Sequence, residues 1–394
     1  MFKKIAHKTR IISIYYQFLC YWYTLQIIFK EFFFNKLFYN IVTNTTTHNN
    51  NTLQDLKHNL NVRGIKWPLR VYDNPHIVYA SAPSNWELDN IPQSLNKIST
   101  NISFFYSNEY NINFYKNRFK SIKLNDKLFY NWIFDLNKNK KIDVIITYFS
   151  GGEISSSTIE KIKELNIPIF TFHLDDRLHF FGRLVRLKFT GPFSVCKNYD
   201  LNLSSSLHSL NQYKFFNSLV YYWPEGANPD FFKPLPQSEI KYDVLFVGSK
   251  YGLRTKLVQF LLNNGINITC YGQGWNNGNL SPKDYIKVVN ESKIVLGLGY
   301  ISFTKKQTLK GRDFEIPSCG ALYLTTYNDE LDKLFINNSE IVMYTNFRDC
   351  LNKINFYLDN PNEAYKIKNN ARIKILTTHS WESRFREILF NEKK

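Results

Sequence analysis

Gln-Thr-Leu-Lys-Gly-Arg-Asp-Phe-Glu-Ile-Pro-Ser-Cys-Gly occupies residues 307–320. It sets Lys310, Arg312 and Glu315 close together on one short segment. An apolar turn of predicted helix then runs to Gly320, a residue type that ends helices by taking a left-handed backbone. Ala-Leu-Tyr-Leu-Thr-Thr (321–326) follows and reads as a short buried strand. A cation-bearing loop thus enters a short helix, and the helix feeds a strand. In open α/β sheets such loops hold phosphorylated ligands. Two cations can hold a diphosphate, and a carboxylate such as Glu315 can accept hydrogen bonds from a ribose diol. A nucleoside diphosphate needs both. The alternative is a solvated helix entry, with the charges serving solubility and Glu315 capping.

Upstream, Tyr242–Val247 reads as a strand that ends in Gly248-Ser249-Lys250, with Arg254 at the start of a helix over Leu253–Asn263. A strand ending in glycine with a helix behind it points backbone N–H groups at an anion. The loop is neither a Walker loop nor Gly-x-Gly-x-x-Gly, so taken alone it is a weak signal. Ile268–Tyr271 is the next strand, ending in Gly272-Gln273-Gly274-Trp275, a loop that either approaches a nucleobase or simply turns the chain. Ile294–Leu298 and Glu340–Tyr344 complete the strands. Helices are predicted over 349–358, 362–376 and Trp381–Phe390.

Before this half, Leu219–Trp223 reads as a strand. It runs into Pro224-Glu225-Gly226-Ala227-Asn228-Pro229-Asp230-Phe231-Phe232, a Pro/Gly-rich segment of interdomain type. Further upstream, strands are predicted at Ile77–Ala82, Ile102–Tyr106, Asp143–Phe149 and Ile167–Phe172, with helices around Glu87–Lys97 and Ser155–Leu165. Strands alternating with helices indicate a parallel sheet with crossover helices. Function then collects at the carboxyl ends of the strands. Gly151, Gly152, His173, Asp175 and Asp176 fall there.

The linker, the Gly-Ser-Lys loop with Arg254, and the Lys310–Gly320 segment stand in the order found in group 1 glycosyltransferases. The linker matches that family's Pro-x-Gly-x-(Asn/Asp)-Pro-x-x-Phe pattern. More closely, the chain resembles the CgeB-like, spore-maturation-protein-like branch. The resemblance covers most of residues 70–390. It implies an α/β fold of GT-B architecture: two Rossmann-like domains facing each other across a cleft, plus an N-terminal helical and aromatic extension. The implied layout is an extension over 1–60, an acceptor domain over 70–225 and a linker over 226–240. A nucleotide-sugar domain over 241–376 follows, then a C-terminal helix over 377–394 that returns to the first domain.

The resemblance also assigns roles. Glu315 aligns with the glutamate that binds the donor ribose. Lys310, Arg312 and Arg254 neutralise the diphosphate leaving group, and Gly248, Ser249 and Gly272 belong to the donor loops. Many relatives carry a second glutamate, contacting the sugar, where this chain has Gln307. That departure leaves the sugar contact and the stereochemical outcome open. His173 is the first candidate for a catalytic group in the acceptor domain, with Asp176 or Asp175 as alternative bases. Set against this, His173 reads as a core histidine, Asp176 as a loop carboxylate paired with Arg177, and His379 as a helix-cap residue. The donor is a substrate, so no resident cofactor is implied, and no metal. The chain contains no Asp-x-Asp, the signature of metal-dependent GT-A sites.

Composition sets the remaining bounds. The 394 residues suit two domains, and 44% hydrophobic content suffices for two cores. The net charge of +17 suits an anionic partner, a nucleotide sugar or an acidic membrane face. No zinc-finger spacing, RNP-type strand or dense arginine cluster points to nucleic acid. Five scattered cysteines without Cys-x-x-Cys spacing fit a reducing cytoplasm. Ile11–Phe29 carries no charge and lies between Arg10 and Lys30. Ser13, Gln17, Thr24 and Gln26 make it a poor membrane span. Three readings stand: a helix lying on a membrane through residues 1–40, an arm packed on the protein, and a span. Residues 43–52, rich in Asn and Thr, read as a flexible linker.

The expectation is a metal-independent glycosyltransferase acting on a carbohydrate acceptor, cytoplasmic or peripheral at the inner face of the membrane. The rivals are a GT-B epimerase or phosphorylase, and a GT-B-like protein that binds nucleotide sugar without turnover.

Overall fold

The computed structural model describes Phe18, Tyr21, Trp22, Thr24, Leu25, Ile28 and Phe29, and residues 45–392 apart from 84, 237 and 302. The chain divides into two compact units. Gly226–Ser380 forms the bulk of the C-terminal unit, and the N-terminal unit joins the described chain from residue 45 to Glu225 to the last helix, Trp381–Phe390.

The N-terminal unit is built on a sheet of β1 (Ile77–Ser81), β2 (Ile102–Tyr106), β3 (Val144–Tyr148), β4 (Ile169–His173), β7 (Leu201–Ser204) and β8 (Val220–Tyr222). All are parallel, in the order β2-β1-β3-β4-β7-β8. Side chains alternate between the two faces of a strand. Val78, Ala80, Ile145 and Ile169 join one core with Phe129 and Ile133 of helix Arg118–Asn139 and Ile159 and Ile162 of helix Ser156–Glu164. Ile77, Tyr79, Val144, Ile146, Phe170 and Phe172 join the other. Both faces are covered, so these strands read as continuous apolar runs. Between β4 and β7 stands a small hairpin, β5 (Leu184–Val185) and β6 (Lys188–Phe189).

The second face is closed by two helices from opposite ends of the chain. Helix Thr45–Val62 inserts Leu53, Leu56 and Leu60, and helix Trp381–Phe390 inserts Trp381, Phe385, Ile388 and Leu389. The rings of Trp381 and Phe385 each lie 5.2 Å from Trp223, whose indole N–H donates to Arg384 O at 3.0 Å.

Helix Thr45–Val62 corrects the flexible linker expected at 43–52. The Asn/Thr-rich composition has poor helix propensity. Tertiary burial of a leucine stripe overrides it. The polar residues also have structural partners. Asn49 accepts from Tyr222 N at 3.0 Å and donates to Tyr222 O at 3.1 Å, so its amide pairs with edge strand β8 as another strand would. Thr52 Oγ1 donates to Val220 O at 3.0 Å. The first unit therefore takes in part of the segment read as an extension.

The C-terminal unit carries β9 (Tyr242–Val247), β10 (Ile268–Tyr271), β11 (Ser292–Leu296), β12 (Leu322–Thr326) and β13 (Val342–Tyr344). They are parallel, in the order β10-β9-β11-β12-β13. Residues just after Glu225 are core here: Ala227 and Phe232 are buried, and Ser318 Oγ donates to Phe232 O at 2.6 Å.

Among the described residues no helix is long and apolar enough to cross a membrane. Most of residues 1–40 lie outside the described residues. Of those described, Phe18, Tyr21, Trp22, Leu25, Ile28 and Phe29 are helical and each is more than half exposed.

Candidate functional site

In the C-terminal unit the cations gather at the carboxyl end of β9. The strand ends at Val247, and Gly248 takes φ 154°. Two guanidinium groups close on it. A Cβ added at Gly248 would stand 2.7 Å from Arg312 Nη1 and 3.2 Å from Arg254 Nη1. Each arginine is fixed by the backbone beside that glycine. Arg312 Nη1 donates to Val247 O at 2.6 Å and Arg254 Nη1 to Ser249 O at 3.0 Å. Arg254 is buried and lies 4.2 Å over the Tyr251 ring.

The neighbouring strand end closes in as well. A Cβ at Gly272 would lie 2.5 Å from Gly248 O, so only glycine permits this approach. Trp275 spans the two loops, its indole N–H donating to Gly248 O at 2.8 Å, and Lys250 Nζ sits 5.0 Å above its ring.

Arg312 opens helix Arg312–Ser318, and Lys310 precedes it by two residues. Glu315 lies three residues on, a spacing that keeps it on the side of the helix shared with Arg312. Asp313 fastens the entry of the helix: Lys310 N donates to its Oδ2 at 2.8 Å and Tyr323 Oη to its Oδ1 at 2.5 Å. Burial pushes the Asp313 carboxyl up, opposed by those two hydrogen bonds. The structure thus brings Gly248, Ser249, Arg254, Gly272 and Arg312 into one cluster, with Lys310 and Glu315 flanking Arg312 along the chain.

Gln307 has a defined role. Its Oε1 accepts from Thr326 Oγ1 at 2.7 Å, and its Nε2 donates to Tyr327 O. The amide ties the loop before the helix to the end of β12, a task that needs a donor and an acceptor together.

In the N-terminal unit His173 ends β4 and Asp176 opens the short helix Asp176–His179. Both are buried. Tyr213 Oη donates to Asp176 Oδ2 at 3.0 Å, and the rings of His173 and Tyr213 lie 6.4 Å apart. Burial pushes Asp176 up to about 7, against hydrogen bonds from Ser204, Tyr213 and Ser209. Burial alone pushes His173 down to about 3, so its imidazole is neutral, and its Nε2 makes no hydrogen bond. The same sheet edge is acidic. Burial raises the Tyr148 phenol, and Asp175, Glu225, Glu87 and Glu153 raise it further. His379 lies elsewhere, in the C-terminal unit, with Nε2 3.0 Å from Leu334 O.

Sequence reading missed the groups that brace these sites. Asp313 stood inside the deciding stretch, but its partner Tyr323 is a strand residue with no mark to set it apart. Tyr213 and the acidic edge become visible only once the strands are placed side by side. Among the described residues no three His, Cys, Asp or Glu side chains cluster to hold a metal ion.

A family of glycosyl transferase-like domains matches residues 254–390, the stretch that holds Arg254, Lys310, Arg312 and Glu315. No curated protein matches the chain. Among the solved structures that share its fold are these three. A glycosyltransferase from Rickettsia africae is 14% identical at a TM-score of 0.52, over 81% of this chain and 100% of its own. The HepE protein of Anabaena, in complex with UDP and glucose, is 12% identical at a TM-score of 0.52, over 80% and 99%. A sucrose-phosphate synthase from Thermosynechococcus elongatus is 10% identical at a TM-score of 0.52, over 80% and 100%. The fold is that of the GT-B glycosyltransferases, with two Rossmann-like units.

Proposed function

We propose that the protein transfers a sugar from a nucleoside-diphosphate sugar to a carbohydrate acceptor, and does so without a metal. The observation that carries this reading is the convergence of Arg254 and Arg312 on Gly248. Departure of a nucleoside diphosphate builds negative charge on its β-phosphate. Arg254 and Arg312, each already held by a backbone carbonyl, meet that charge with little reorganisation, and Lys310 adds a third cation. Glu315 accepts the ribose hydroxyls, and the Gly272–Trp275 loop approaches the base. The HepE structure, which holds UDP and glucose, supports a donor of this class.

The acceptor belongs to the N-terminal unit. Asp176, pushed up to about 7 by burial, is the better matched of the two candidates for taking the acceptor proton near neutral pH. His173, pushed down to about 3, is neutral but a weak base, and from the end of β4 it serves as a positioning residue beside Tyr213. The CgeB-like assignment, a surface-polysaccharide acceptor and a peripheral place at the inner membrane face through residues 1–40 extend the same reading.

A second reading, binding without turnover, is favoured by Gln307, whose amide is occupied within the protein and does not reach for a sugar.

The test is thermal shift of wild type and Glu315→Ala against UDP, GDP, CMP, ADP and dTDP sugars, followed by product assay with the donor that binds. Stabilisation by one nucleotide class that is weakened in the variant supports the donor site. No stabilisation by any donor overturns the proposal. Stabilisation without hydrolysis or transfer selects the second reading.

A further inference from the structure

The chemistry above makes no use of the hairpin β5–β6. Its two-residue turn is Arg186-Leu187, with φ 47° and 62°. Such left-handed turns favour Asn-Gly, and a leucine there works against its own backbone. Leu187 is also 90% exposed, and Leu184 is 58% exposed. Leu184 pairs with Phe189, so both project from one face of the hairpin.

The tip is held rigidly. At its neck Gly182 and Gly191 approach so closely that a Cβ on either would overlap the other's backbone. The Thr190 hydroxyl accepts from Arg183 N at 3.0 Å and donates to Arg183 O at 3.1 Å. Phe189 lies 5.4 Å from Phe181 and 5.5 Å from Phe193, rings that belong to an aromatic cluster beneath. A fixed neck thus presents an aliphatic tip to solvent. Around it Arg183, Arg186 and Lys188 are exposed, and the chain from Arg177 to Tyr199 contains no Asp or Glu.

We propose that this hairpin docks the N-terminal unit onto an anionic lipid bilayer. Leu187 enters the boundary between headgroups and acyl chains, while Arg183, Arg186 and Lys188 meet the headgroup phosphates. Apolar side chains ringed by cations are what such a surface binds. A nucleic acid would use the cations but would want a ring for stacking at the tip; the tip has leucine, and the hairpin's one ring, Phe189, packs on Phe181 and Phe193. The inference does not depend on the sugar-transfer reading.

The test uses the full chain with an NBD fluorophore on Leu187→Cys and with Cys20→Ser; the other four cysteines are buried. Vesicles of phosphatidylcholine mixed with phosphatidylglycerol are expected to shift NBD emission to the blue, and phosphatidylcholine alone to do so weakly. Arg183→Gln, Arg186→Gln and Lys188→Gln together are expected to lower vesicle affinity on the order of 100-fold at low salt, about fivefold per cation. Leu187→Gly without the label relieves the turn, so it folds at least as well as wild type, and it is expected to bind vesicles more weakly. Co-sedimentation with vesicles but no NBD shift overturns the proposal, because another part of the chain then makes the contact. A shift with a single-stranded oligonucleotide and none with vesicles also overturns it.

Discussion

Arg254 and Arg312 reach Gly248 from two different helices and leave no room for a methyl group between them. Two guanidinium groups this close repel, and an anion between them relieves the repulsion. Gly248→Ala should displace Arg312 from Val247 O and strain a backbone at φ 154°. The expected result is loss of most nucleoside-diphosphate stabilisation in thermal shift, with kcat/KM down about tenfold or more. Unchanged donor binding in a folded variant would sink the proposed role of the pair.

Two buried titratable groups of the N-terminal unit, Asp176 and His173, should oppose each other with pH. Asp176 stands at about 7 in the fold, against ~3.9 for an unfolded aspartate. The unfolded chain therefore ionises first as pH rises, and stability falls from about pH 4 to 7. Asp176→Asn keeps an acceptor for Tyr213 and removes that loss. Its melting temperature relative to wild type should climb between about pH 5 and pH 8.

His173 has the opposite slope. Its imidazole stands at about 3 in the fold and at ~6.5 unfolded. The unfolded chain binds the proton first, so stability is lost as pH falls from about 6.5 towards 3. His173→Gln should therefore gain on wild type as the pH drops from about 7 to 5. Parallel curves for the two proteins would show that His173 is not buried neutral.

Gln307→Glu introduces the residue type that the resemblance to group 1 enzymes would place here, yet it should cost stability. A carboxylate cannot donate to Tyr327 O and would face that carbonyl with like charge. Chemical denaturation should show a loss of about 1–3 kcal/mol. A variant as stable as wild type, with raised transfer activity, would mean the side chain is free to serve the donor sugar.

Leu56 is fully buried on the helix that covers edge strand β8. Leu56→Ala should cost about 2–5 kcal/mol, read by denaturation. A cost near zero would mean that the Thr45–Val62 helix is not part of the core.

Most strands of both sheets were legible as short, largely apolar runs between turn or polar residues, whereas β7 (Leu201–Ser204) was not read as a strand. Tyr242–Val247, Ile268–Tyr271 and Ile102–Tyr106 match their sequence reading to the residue. The helix Thr45–Val62 was hidden because its asparagines and threonines, poor helix formers, are held by partners far along the chain. Hairpin β5–β6 was missed because two-residue strands leave almost no periodicity. Of the donor cluster, the charged members could be named from spacing. Their convergence on one glycine could not, since it depends on strand β11, which leads to Arg312, lying beside β9.

The N-terminal unit is finished by a helix that the ribosome makes after the whole of the other unit. Trp223 waits for Trp381 and Phe385 while residues 226–380 are synthesised, on the order of ten to thirty seconds at ~5–20 residues per second. During that interval the apolar face of its sheet stands partly uncovered, and the C-terminal unit can fold first. Emergence of the chain from the ribosome therefore lets the later-made unit be completed before the earlier one, with chaperone occupancy expected on the earlier-made half.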